Sequence, residues 1–125
     1  MKKLILIVLL SLLSFNSNSQ SRIGYSIVDI SREFFTGIID YQDPYLSVST
    51  DNAYVLYVFD FKDTCIAYFI TPKSPQSLKS YLNEFNTNLN IVSPTFWIQE
   101  YNGYNIYIEL ETDSEGQPTF YCHRY

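Results

Sequence analysis

Apolar residues between Ile23 and Phe34 recur at Ile23, Ile27, Ile30 and Phe34, spacings of four, three and four that mark one face of a helix. Ser21 before this run and Gly37 after it supply cap residues, so the pattern predicts a first helix over Arg22 to Thr36. Ile, Ser and Phe are poor helix formers, and packing would have to hold the segment. Asp43-Pro44 then signals a turn, after which Leu46 and Val48 alternate with polar neighbours in Tyr45 to Thr50. Asp51-Asn52 and Lys62-Asp63 bracket Ala53 to Phe61, and a further strand runs from Thr64 to Thr71. Such short connections predict an antiparallel three-strand meander, and the largely apolar middle strand suits a central place in it.

Pro72 closes that strand, and Ser74-Pro75 pairs an N-cap with proline at the first helical position. Leu78, Tyr81, Leu82, Phe85 and Leu89 follow on one helical face, which predicts a second helix over Pro75 to Asn88. Asn102-Gly103 then lies between two alternating aromatic-rich stretches, the composition of a two-residue hairpin turn with positive φ at both positions. In that register Tyr101 opposes Tyr104, Gln99 opposes Ile106 and Trp97 opposes Ile108, which assigns these rings to the core. A competing reading starts a short helix at Ser93-Pro94 with Trp97 and Tyr101 on one side. Ile106, Ile108 and Leu110 alternate with Tyr107, Glu109 and Glu111 as a half-buried strand, and the Asp113 to Gly116 loop leads into a last strand, Thr119 to Arg124.

The predicted order is α-β-β-β-α-β-β-β, an α+β fold: a two-layer sandwich with both helices on one face of an antiparallel sheet. Each half repeats a helix-plus-meander plan with little residue identity between the halves.

Ahead of all this, Met1-Lys2-Lys3 is a short basic start, Leu4 to Leu13 an apolar run, and Ser14 to Ser21 a small polar stretch. That is the order of a secretory signal peptide, and an apolar run of about ten residues is half what a membrane-spanning helix needs. Cleavage is expected between Ser19 and Gln20, giving residues 1–19 as leader and 20–125 as one exported domain of about 106 residues. Losing Lys2 and Lys3 from the eight basic residues leaves six against thirteen acidic ones, a net charge of about −7. The basic residues are scattered singly, which disfavours nucleic acid and anionic membrane as partners after cleavage.

No residue pattern specifies chemistry. His123 is the sole histidine, and its sequence neighbour Cys122 points to the other face of the same strand, so it reads as a strand histidine rather than a base. Glu111, Asp113, Glu115 and Gly116 mimic the start of a calcium loop, but Cys122 stands where the bidentate glutamate belongs, which leaves a solvated acidic loop. Asp51, Asp60 and Asp63 sit at turns, where carboxylates ordinarily cap backbone; facing pairs across a cleft would suit a hydrolase instead. No catalytic residue, metal ligand or cofactor is assigned. Cys65 and Cys122 both survive cleavage and, in an oxidising compartment, are candidates for a disulfide.

The stronger signal is aromatic: twelve Tyr, nine Phe and one Trp, a composition that fits a pleated surface. Alternation must send some rings, among Tyr54, Tyr57, Tyr68, Trp97, Tyr101, Tyr104 and Tyr107, to the face away from the helices. Tyr107 falls opposite the core face, and either Tyr54 or Tyr57 can join it in an exposed patch bordered by acidic residues. The function this favours is a non-enzymatic binding module for a protein or glycan; a carbohydrate-binding module is the alternative, and a small hydrolase the third. Solvated tyrosines of any sheet-rich protein give the plainer account. The leader with Gln20 after the cut, and the stretch from Phe69-Ile70-Thr71-Pro72 through the second helix to Ile91-Val92-Ser93, Trp97 and Ile108-Glu109-Leu110, resemble short uncharacterised secreted proteins of Gram-negative Bacteroidota. That resemblance implies export and no activity.

Overall fold

The structure, a computed structural model, describes residues 21–34, 38–101 and 103–124. The expected leader, the expected cap at Gly37 and the Asn102 half of the hairpin turn lie outside the described residues. Among the described residues two helices accompany one eight-stranded antiparallel sheet. In chain order the elements are α1 (Ile27–Glu33), β1 (Ile38–Gln42), β2 (Tyr45–Ser49), β3 (Ala53–Phe59), β4 (Cys65–Pro72), α2 (Pro75–Asn88), β5 (Asn90–Ser93), β6 (Phe96–Tyr101), β7 (Tyr104–Thr112) and β8 (Pro118–Arg124).

Across the sheet the strands run β1-β2-β3-β4-β8-β7-β6-β5. Each half is therefore a helix followed by a four-strand meander, and the last strands of the two meanders join antiparallel at the centre. The sequence reading missed one strand per half, β1 and β5. Both are sheet-edge strands with only one neighbour. They lack the clean alternation that a half-buried strand displays, because an edge strand packs against little.

The first helix is shorter than expected. Ser26, not Ser21, is its N-cap, accepting from the Asp29 amide at 3.1 Å. The preceding residues form a turn that pairs with β4: the Tyr25 amide donates to the Arg22 carbonyl at 3.0 Å, the Gly24 amide donates to the Cys65 carbonyl and the Cys65 amide to the Tyr25 carbonyl, both at 2.8 Å. Gly24 allows this with φ of +90°. Ile23 is still buried, so the apolar spacing reported packing correctly while the backbone followed a strand partner. The second helix spans the expected residues. Its cap Ser74 accepts from the Ser77 amide at 3.1 Å.

The hairpin register also matches, with Tyr101 opposite Tyr104, Gln99 opposite Ile106 and Trp97 opposite Ile108. Gly103 carries the positive φ that the turn requires. The competing helix at Ser93-Pro94 is a turn between β5 and β6 instead.

Register defines two faces. One carries Leu46, Val48, Val55, Tyr57, Tyr68, Ile70, Phe120, Cys122, Ile106, Ile108 and Trp97, all buried. Phe85 of α2 lies edge-on to Phe120 at 5.0 Å between ring centres, and Phe34, next after α1, lies 6.1 Å from Tyr57.

Cys65 and Cys122, the expected disulfide partners, are free buried thiols. Cys122 sits opposite Tyr68, and Cys65 is three residues further along β4. At about 3.3 Å per residue that puts the cysteine backbones roughly 10 Å apart along the strand, beyond the reach of a bridge. Cys65 Sγ instead donates to the Ala67 carbonyl at 3.4 Å, and Cys122 shares a side-chain hydrogen bond with Tyr68.

Candidate functional site: the second face of the sheet

The other face is read off the same registers. Leu56 of β3 opposes Phe69 of β4, Phe69 opposes Tyr121 of β8, Tyr121 opposes Glu109 of β7, and Glu109 opposes Phe96 of β6. One step along, His123 opposes Tyr107, which opposes Ile98. Cross-strand neighbours on one face lie about 5 Å apart, so these side chains must pack on one another.

They form a continuous row of rings. Phe69 and Tyr121 stack nearly parallel at 4.7 Å, and Tyr121 stacks on His123 at 4.4 Å. Tyr107 follows at 5.8 Å from His123, and Phe96 at 5.6 Å from Tyr107. All five are half-buried. Tyr121 has a ring against each of its faces, so it offers solvent an edge and a hydroxyl tip.

Charge on this face is negative. Glu109 and Glu111 alternate along β7, and Asp40 stands on β1. His123 Nε2 comes within 3.4 Å of Glu109 Oε2, outside hydrogen-bond geometry. Two open depressions flank the row. One, of about 240 Å³, is lined by Asp40, Gln42, Tyr45, Ser47 and Leu56. The other, of about 530 Å³, lies over β5 to β7 and includes Phe96, Glu109 and Glu111.

The residues singled out by sequence separate cleanly. Tyr107 is on this face and half-buried, and Tyr54 shares the face with 58% of its surface exposed. Tyr57 points the other way and is 4% exposed, packed on Phe34 and Tyr68, so it is a core residue and not a surface one. Tyr54 and Tyr107 do not touch through any described ring pair; Lys73 Nζ lies 4.5 Å over the Tyr54 ring near the end of β4. Phe69, Phe96 and Tyr121 escaped the sequence reading. Their signal was the alternation of Phe120 and Cys122 with Tyr121 and His123, and of Tyr68 with Phe69, which places each outside the core set.

Asp60 and Asp113 behave as backbone caps. Asp60 Oδ1 accepts from the amides of Lys62 and Thr64 at 2.8 and 3.0 Å. Asp113 Oδ1 accepts from those of Glu115 and Gln117 at 2.9 and 2.8 Å. Among the described residues no helix is long and apolar enough to cross a membrane. No protein-family model, curated protein or solved structure matches the chain.

Proposed function

We propose that the protein is an exported, non-enzymatic binding module whose second sheet face, the one bearing Tyr107 and Tyr54, engages a protein partner. In this reading both helices cover the core face in a two-layer α+β sandwich, and the opposite face is left to solvent. The observation that carries it is the ring row Phe69–Tyr121–His123–Tyr107–Phe96, five half-buried rings across four strands. Rings of this kind supply rigid contact area at low entropic cost, and Tyr and Phe are enriched in interface cores.

A protein partner is favoured over a glycan by ring geometry. Sugars stack on free ring faces, whereas the faces of Tyr121 are taken by Phe69 and His123. Hydrolysis has little support, since Asp60 and Asp113 are engaged with backbone amides at turns.

Site-specific photo-crosslinking tests the proposal. A benzophenone side chain at position 107 or 54 should capture a discrete partner in the native cell envelope, and one at Lys79 on α2 should not. Equal capture from all three positions, or capture from position 79 alone, overturns it.

A further inference from the structure

The larger depression on this face has a chemistry that narrows the partner. Its lining combines three apolar residues, Val92, Phe96 and Leu110, two hydroxyls, Ser93 and Thr95, and two carboxylates, Glu109 and Glu111, with no cationic side chain. Its floor is fixed, because the Leu110 amide donates to the Thr95 carbonyl at 2.9 Å and ties the β5–β6 turn to β7. Glu109 is held beside His123. Glu111 is exposed and has no ion-pair partner among the described residues. At the rim, Val92 is 59% exposed, an apolar side chain at the sheet edge. The register shift between Ile91 and Ser93 turns Val92 out of the ladder and toward the depression.

Resting on the binding role proposed for this face, we infer that the depression over β5 to β7 receives an arginine-bearing, otherwise apolar segment of the partner protein. The arginine stem would lie on Val92 and Phe96, and its guanidinium would meet Glu111, with Glu109 behind. A planar guanidinium stacks on an aromatic ring and pairs with a carboxylate in two parallel hydrogen bonds, which a lysine ammonium does not do. The excess of thirteen acidic over eight basic residues in the chain adds a longer-range attraction for such a segment. The depression at the other edge is the poorer fit, being smaller and having a single carboxylate, Asp40.

The test uses defined probes: a capped peptide of alternating valine and arginine, and the same peptide with neutral citrulline replacing arginine. Backbone amide shifts of residues 93–96 and 109–111 are followed in the labelled protein. The arginine peptide should shift them saturably, and the citrulline peptide should not. Raising salt from ~50 to ~500 mM should weaken the binding at least about threefold, and Glu111→Gln, an exposed change that leaves the fold intact, should do the same. Equal binding of the two peptides, shifts confined to other regions, or indifference to Glu111→Gln overturns the inference. If position 107 still crosslinks a partner in that case, the binding role of the face stands and only its arginine specificity falls. If the peptide binds as described while position 107 captures nothing, the broader role fails instead.

Discussion

The indole Nε1 of Trp97 donates to the side-chain oxygen of Asn86 at 2.8 Å, which joins β6 to the last turn of α2. The Trp97 ring is fully buried and lies within 6.0 Å of both Phe85 and Phe120. Two changes separate its contributions. Trp97→Phe keeps most of the packing and loses the hydrogen bond, at an expected cost of about 1–2 kcal/mol. Trp97→Ala also leaves a cavity, for an expected loss of about 3–5 kcal/mol. Urea denaturation measures both, and a Trp97→Ala loss below about 1 kcal/mol would mean the ring is not in the core.

The two surface tyrosines should respond differently to truncation. Tyr54 is mostly exposed, with one cation–π contact from Lys73, so Tyr54→Ser should change stability by no more than about 1 kcal/mol. Tyr107 packs between Phe96 and His123, and Tyr107→Ser should cost about 1–2 kcal/mol while leaving the protein folded. Thermal melts of the two variants decide it, and a reversed order would place the packed rings at the wrong end of the face.

Where sequence carried strong local chemistry, the structure agrees. Ser74-Pro75 set the start of α2, and Asn102-Gly103 set a register that matches residue for residue from Trp97 to Ile108. The start of α1 was misjudged because Ser21 and Ser26 are both competent caps, and the choice was made by backbone pairing to Cys65, a residue some forty positions away. The edge strands β1 and β5 have a neighbour on one side only, so neither needs the alternation that identifies an inner strand. The ring row was half legible. Period-two alternation assigns Tyr107 and Tyr121 to one face of their own strands, but only the β4–β8 pairing brings Phe69 and Tyr121 together, and no short-range signal encodes which two of eight strands meet at the centre.

Helix caps offer a local check on the same elements. Ser74 and Ser26 each accept one otherwise unpaired amide at 3.1 Å. Ser74→Ala should destabilise by about 1 kcal/mol, read as a lower urea midpoint with an unchanged slope. Ser26→Ala acts on a seven-residue helix whose position is also fixed by Ile30 and by the pairing of Gly24 and Tyr25 with Cys65, and its loss should not exceed that of Ser74→Ala. A larger loss at Ser26 would make α1 dependent on its cap rather than on packing.

Alkali should unfold the protein, and the buried groups fix the direction. Burial pushes the Cys65 thiol from 9.0 up to about 12, and raises Cys122, Tyr57 and Tyr68 as well. The unfolded chain releases these protons at ordinary values while the native state retains them. Native protein therefore binds more protons above about pH 9, and stability falls as pH rises through that window. Below it these four groups contribute no pH dependence. The expected profile is level from them up to about pH 9 and then declines progressively, with tyrosinate absorbance rising in the same step in which near-UV circular dichroism is lost. Cys122→Ala, which removes one of the four, should lower stability at neutral pH by opening a small cavity yet flatten the first part of the decline. Thiol labelling gives an independent reading: iodoacetamide at pH 8 should modify neither cysteine in the native protein and both after unfolding without reductant. Constant stability to pH 11, or fewer than two labels on the unfolded chain, would contradict the burial and the free state of this pair.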